Sequence, residues 1–284
     1  MDDGEPAFPT DALEDIMYLS RSSNRVRILD ALTDAAATRQ ELQAQTGTSR
    51  TTLDRIVNEL EDRGWAERTT DGDYVATPVG KRLMEQFEPY LESVEAIRRL
   101  GPAVEWLPDD ESGVDLRHFS DAEVRHPAGG DPVETVEFMV ELVGDASEFR
   151  ALTHLVPPDS LLQAIRDRVV SGQLRVEAVS SEPDTNFPSD RTSRRRWWRD
   201  ILEAGSGLYL CDGPIPCNLW VIGETVLIKR SRPGDIDDSY GTPIVSDDAA
   251  VRSWAHDLID RYQAEATRID ESVLSPPAAS GDDS

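Results

Sequence analysis

Two helices and the tight turn between them are written into the residues from Thr38 to Gly64, and little else in the chain is so constrained. Thr38 is followed three positions on by Glu41, the reciprocal cap of a helix start, and Gly47 supplies a left-handed stop. A second helix opens at Thr48 or Ser49 and places Leu53, Ile56, Val57 and Leu60 on one face before Gly64 ends it. Upstream, "SSNRVRILDAL" offers Ser22 or Ser23 as a cap and turns Val26, Ile28, Leu29 and Leu32 towards a core. Leu13, Ile16, Met17 and Ser20 space out a short lead-in helix before it. Helix, glycine-containing turn and helix form the spacing of a helix-turn-helix unit.

The segment after Gly64 completes that unit. "WAERTTDGDYVAT" reads as two short strands around a two-residue Asp71-Gly72 turn, a wing. Pro78 then sits in the first turn of a long helix carrying Leu83, Phe87, Leu91, Val94, Ile97 and Leu100, with Pro89 inside it. That stripe could be core or the seam of a dimer. In the second helix of the pair, the face away from the core bears Thr51, Arg55 and Asn58, flanked by Arg50, Thr52 and Asp54. Arginine can bridge guanine edges bidentately, and threonine can hydrogen-bond or touch a thymine methyl. The expected partner is double-stranded DNA, met by Ser49, Arg50, Thr51, Thr52, Arg55 and Asn58, with Arg25, Arg39 and Arg68 beside them. A recognition helix is short, so a homodimer reading two half-sites about 34 Å apart is expected. The competing use of such a unit is protein docking within a transcription or chromatin assembly.

A net charge of −26 opposes a phosphate backbone, but the charge is not evenly spread. Ser20 to Arg82 holds ten basic and ten acidic residues, while the first 19 residues carry −6 and the remainder −20. Of the 29 basic residues in all, only Lys81 and Lys229 are lysine. Dispersed Asp and Glu with almost no Lys looks like the proteins of salt-loving archaea. In about 1 M salt the Debye length is roughly 3 Å, so surface carboxylates scarcely repel one another. Counterion release is then a weak driver, and base contacts and shape must carry more of the affinity.

These residues also carry a family resemblance. "MYLSRSSNRVRILDALTDAAATRQELQAQTGTSRTTLDRIVNELEDRGWAER…YVATPVGKRL" resembles the winged helix-turn-helix of haloarchaeal transcriptional regulators. There a Ser-x-x-Arg-x-x-x-Leu first helix, "SRTTL-x-R", "RGW" and "Y-x-x-TPxG" recur in this order. Beyond Gly101-Pro102 the chain resembles, more loosely, the methanogenesis-regulator type of C-terminal effector domain, through "DPVETVEFMVELV" and "SDDAAVRSWAHDLIDRY". The resemblance implies a fold there but no effector.

The second half alternates strand-like and helical segments. "VDLRHF", "EFRALTHLV", "QLRVEAVS", "SGLYLCD", "CNLWVIG" and "TVLIKR" read as strands. "DPVETVEFMVELV", "PPDSLLQAIRDRVVSG" and "SDRTSRRRWWRDILEAG" read as helices. A closing helix keeps Val251, Trp254, Leu258, Tyr262 and Ile269 on one face. The expected fold is therefore an α+β winged helix-turn-helix N-terminal domain (1–82) followed by an α/β sheet effector domain (103–272). A linker or dimerisation helix (83–102) joins them, and 273–284 is a disordered tail.

"RTSRRRWWRD" is the densest basic run, with Arg191, Arg194, Arg195, Arg196, Arg199, Trp197 and Trp198. Arg194, Arg195, Arg196 and Trp197 could hold a small anionic effector. They could also lie on a surface helix, its arginines paired with carboxylates and its tryptophans packed on the sheet, or make an auxiliary nucleic-acid contact. Cys211 and Cys217 flank "DGPIP", as small buried residues at strand ends or as a redox pair. His118, His126, His154 and His256 show no ligand spacing. Without a zinc motif, phosphate loop, nucleophile elbow or dinucleotide fingerprint, neither an enzyme nor a cofactor is expected. The acidic start lacks an apolar signal core and the longest apolar run is short, so a cytoplasmic protein without a membrane partner is expected.

Overall fold

Side chains recurring every three to four residues draw the N-terminal helices onto one core. In the computed structural model, which describes residues 9–108, 113–181, 192–230 and 241–269, these are α1 (Thr10–Ser20), α2 (Ser23–Asp34), α3 (Arg39–Thr46) and α4 (Arg50–Asp62). Leu19, Ile28, Leu29, Leu32, Leu42, Leu53, Ile56 and Leu60 are fully buried together. The α3 capping box forms as its sequence dictates: Glu41 accepts from the Thr38 backbone, and Thr38 Oγ1 accepts from the Glu41 backbone. Gly47 closes α3 at φ 65°, a conformation that costs a residue with a Cβ. Ser49 caps α4.

The wing differs from its expected form. Strands β1 (Ala66–Arg68) and β2 (Tyr74–Ala76) pair antiparallel, but Thr69 to Asp73 form the loop between them rather than Asp71-Gly72 alone. The Thr69 amide donates to the Asp73 carbonyl and the Thr69 hydroxyl accepts from the Asp73 amide, which makes the longer loop its own closed turn. The lead-in helix forms over Thr10–Ser20 as its spacing suggests. α1 buries Tyr18 and Leu19, whereas Leu13, Ile16 and Met17 face outward.

α5 (Pro78–Leu100) is a single helix despite Pro89, and the division between two compact units, Met1–Leu91 and Glu92–Ser284, falls within it. Its apolar stripe is shared out. Phe87 joins the first core and Leu100 the core of the second unit, while Leu91 and Ile97 are exposed.

The second unit is a mixed eight-stranded sheet between helices. Its strands are β3 (Glu123–Val124), β4 (Glu148–Thr153), β5 (Arg175–Ser180), β6 (Gly207–Leu210), β7 (Cys217–Ile222), β8 (Thr225–Arg230), β9 (Ile244–Ser246) and β10 (Thr267–Arg268). Their order is β10-β6-β5-β4-β7-β8-β9-β3, with β4, β5 and β6 parallel and the other pairs antiparallel. α6 (Pro132–Asp145), α7 (Asp159–Val170) and α8 (Thr192–Glu203) pack on one face, and α9 (Ala249–Glu265) packs on the other. Arg150, buried in β4, fastens α9 by donating to Asp260 Oδ1 at 2.6 Å and to Gln263 Oε1 at 3.0 Å.

Two segments depart from expectation here. "VDLRHF" is not a strand: Asp115 caps a 3-10 turn over Leu116–Phe119, and Phe119 is carried edge-on to Trp254. The closing helix stops at Glu265, because Thr267–Arg268 turn extended and pair with β6. Ile269 therefore leaves the Val251–Trp254–Leu258 face and packs in the core on the other side of the sheet. Arg191 and the 273–284 tail lie outside the described residues. Among the described residues, no helix is long and apolar enough to cross a membrane, and no cluster could hold a metal ion.

Candidate nucleic-acid interface

α4 is fixed from beneath and polar above. Its buried Leu53, Ile56, Val57 and Leu60 each gain about 1.5–3 kcal/mol relative to exposure, which holds the opposite face at a set angle. Ser49, Arg50, Thr51, Arg55 and Asn58 are exposed, and Thr52 is half-buried with its hydroxyl 2.9 Å from Ser49 Oγ. Among the described residues, Arg50, Thr51 and Asn58 make no side-chain hydrogen bond or ion pair. The polar groups of Arg50 and Thr51 at the first turn, and of Asn58 two turns on, are unspent. Arg55 pairs with Glu59 at 2.7 Å, one turn on, and both remain partly exposed. Such a pair is worth about 0.3–0.5 kcal/mol and yields readily to a phosphate.

Arg25 is placed differently. It lies 4.0 Å over the Tyr18 ring, donates to the Tyr18 carbonyl at 2.8 Å, and meets Glu59 Oε2 at 3.4 Å. Tyr18 donates to the same carboxylate at 3.0 Å. Burial alone would raise Glu59, but the hydrogen bonds from Tyr18 and Arg55 and the charges of Arg55 and Arg25 outweigh it, so its carboxyl sits below the usual range. Burial, and then the bond to Glu59, raise the Tyr18 phenol above its ordinary value. Arg25 thus holds α1, α2 and α4 together. Arg39 and Arg68 converge instead on the wing, 5.0 Å and 5.6 Å from the Tyr74 ring centre. Arg39 also forms an ion pair with Asp54 of α4, and Arg68 donates to the Gly72 carbonyl.

The second basic cluster fans out. Successive residues on a helix differ by about 100°, so Arg194, Arg195 and Arg196 cannot converge on one anion. Arg194 is buried, paired with Asp159 and donating to the Pro157 carbonyl at 2.7 Å. Arg195 and Trp197 are half-buried. Arg196 and Trp197 edge a shallow depression with Ser193 and Arg166, whose guanidinium is engaged by Asp200 and Asp167. Trp198 turns inward beside Ile201 and so does not wall an anion pocket at the surface. Cys211 and Cys217 are free and buried. Burial raises both thiols, Cys217 to about 12, which leaves them protonated and weakly nucleophilic.

Residues 13–99 match the family model of the HVO_A0261 N-terminal domain, and residues 132–265 match that of the middle domain of the methanogenesis regulatory protein FilR1. The two halves of the chain are thus each similar to a domain of known regulator type. No curated protein matches it. Among solved structures, TrmBL2, an archaeal chromatin protein whose structure is described as showing a novel mode of DNA binding, is 15% identical with a TM-score of 0.41. That match covers 89% of this chain and 98% of TrmBL2. The O-methyltransferase NcsB1 from neocarzinostatin biosynthesis is 14% identical with a TM-score of 0.26, covering 75% of this chain and 70% of its own. Neither overlap is close enough to carry an argument about function.

The motifs of the N-terminal unit have physical causes. In Ser-x-x-Arg-x-x-x-Leu, Ser22 stands before α2, Arg25 bridges to Glu59 and Leu29 fills the core. In "TPxG", the Thr77 hydroxyl donates to the Gly64 carbonyl at 2.6 Å and accepts from the Gly80 amide at 3.1 Å. Gly80 packs so close to Trp65 that an added Cβ would overlap its carbonyl oxygen. The end of α4, the wing and the start of α5 are tied at that point.

Proposed function

We propose that the regulator binds specific DNA sequences through α4, with its N-terminal turn in the major groove and the wing along the backbone. The supporting observation is the unspent set at Arg50, Thr51 and Asn58, on a helix whose other face is locked into the core. Arg50 and Arg55 are the base-reading or phosphate-binding cations of this reading, with Ser49 and Thr52 at the helix start and Arg39 and Arg68 at the wing. The C-terminal sheet domain is the sensing or oligomerising part, and the protein works as a homodimer in the saline cytoplasm of a halophilic archaeon. Exposed apolar side chains support self-association: Leu13, Ile16 and Met17 on α1, and Tyr90, Leu91 and Ile97 on α5.

A gel-shift survey of genomic fragments in molar KCl tests this. A subset of fragments retarded in the presence of excess unrelated duplex is expected. Equal retardation of every fragment, or none, would contradict sequence-specific binding. Light scattering in the same buffer should return twice 31.5 kDa; a monomer at every concentration, with and without DNA, would contradict the dimer.

A further inference from the structure

Residues opposite one another in neighbouring strands share a sheet face. One such row runs Trp220–Ala151–Ala178–Leu208 across β7, β4, β5 and β6. The row on one side holds Ile222, Phe149 and Val176, and the row on the other holds Thr153, Ser180 and Leu210. Central strands buried on both faces are usually filled by branched side chains. Here two adjacent alanines stand between a tryptophan and a leucine, under a roof of Leu161 and Ile165 from α7 and Trp198 from α8. The shortfall in side-chain volume is a cavity of about 160 Å³.

We propose that this cavity is the ligand site of the C-terminal domain and takes an uncharged, ring-sized apolar molecule. The proposal rests on the reading of that domain as a small-ligand sensor and gives it a location and a ligand class. Three observations carry it. The size is right, since an engineered cavity of roughly 150 Å³ with apolar walls stays dry and admits benzene. The chemistry is right, since among the described residues no Asp, Glu, Lys or Arg lines the walls. An ionised guest would be buried there without a counter-charge, at a cost of several kcal/mol. Thr153, His154 and Ser180 are gathered at one end. Thr153 is already engaged, donating to Asn218 Oδ1 at 2.8 Å and accepting from the Leu155 amide at 2.9 Å. The position is right too, because that end is the carboxyl edge of the parallel strands, where open α/β sheets bind ligands.

The buried Arg194 gains a role in this arrangement. It ties α8, which supplies Trp198 to the roof, to Pro157 in the segment between β4 and α7 and to Asp159 at the start of α7. A guest that lifts the roof would strain this tie, so Arg194 is a positioning residue for the cavity and not a ligand for an anion.

The test uses the full chain in molar KCl, with toluene and benzoate as calorimetric probes of one ring size and different charge. Toluene should bind saturably, one per chain, and benzoate at least about tenfold more weakly. Ala178→Leu fills the gap and should weaken toluene by at least about tenfold. Leu208→Ala enlarges it and should admit naphthalene more tightly than the parent does, which keeps the test decisive if the first variant folds poorly. Toluene that fails to saturate, benzoate that binds equally, or variants that change neither affinity would overturn the proposal. Anisotropy of a bound duplex with and without toluene separates the two readings. A cavity that binds toluene with no change in DNA affinity contradicts the sensor, and a chain that binds toluene but no DNA contradicts the regulator.

Discussion

α4 and α8 are both amphipathic, both arginine-bearing, and both carry a basic residue within two or three positions of their start. On α4 that residue, Arg50, is exposed and unspent. On α8 the corresponding Arg194 is buried, held by Asp159 and a backbone carbonyl. α4 lies in a stretch of the chain with no net charge, whereas α8 belongs to the part that carries −20. In a chain this acidic, carboxylates hold many guanidinium groups, Arg39 and Arg55 as well as Arg166 and Arg194. The density of arginine in a run therefore says less about recognition than the supply of acids around it. An arginine left unpaired in such surroundings is the informative one.

That contrast can be broken at several points. The largest effect is expected at Gly80, since the pose of α4 relative to the wing depends on its close approach to Trp65. Gly80→Ala should cost about 3 kcal/mol and lower the first melting transition while leaving the sheet domain's transition in place. A variant within about 0.5 kcal/mol of the parent would mean that this tie does not hold the reading helix. Next comes Arg194→Ala, expected to destabilise the sheet domain by about 1–3 kcal/mol, as loss of a charged hydrogen-bond partner does, with DNA affinity unchanged. Loss of DNA binding at unchanged stability would put the reading surface on α8.

A smaller effect is expected from pH. The folded Tyr18 phenol lies above its ordinary value of 10.0, through burial first and then through Glu59. Stability from this group is complete below about pH 10 and declines as pH rises, because the unfolded chain loses the proton first. Urea midpoints taken from about pH 9 to 11 should fall more steeply for the parent than for Tyr18→Phe, by up to about 1 kcal/mol in all. Equal slopes would show that the Tyr18–Glu59–Arg25 network does not anchor α4.

Much of the N-terminal unit was legible because its signals are local. Capping boxes, stop glycines and a three-to-four apolar spacing act within one or two turns, and they fixed α2, α3 and α4 to within a residue or two. The outward face of Leu13, Ile16 and Met17 was not legible, because periodicity reveals a stripe but not what covers it. In the sheet domain the strand order, the short β3 and β9, and the return of Ile269 to the far face depend on pairings between distant segments. The same limit hid the surroundings of each arginine. Arg25 and Arg50 differ little in the sequence, and only the fold brings Tyr18 and Glu59 to the first and nothing to the second. For the cavity the signal was present but unread: alanines at 151 and 178 in otherwise bulky strands become meaningful once register sets them side by side.

The most direct test of the account is fluorescence anisotropy in molar KCl on a mapped operator and on a scrambled duplex, with Arg50→Ala and Arg195→Ala beside the parent. Arg50→Ala should lose about 1–3 kcal/mol on the operator and Arg195→Ala none. If Arg50 reads a base, the loss is confined to the operator and preference relaxes at one position; if it holds a phosphate, both duplexes weaken equally. Full operator binding by Arg50→Ala together with loss of binding by Arg195→Ala would contradict the assignment of the reading helix to α4.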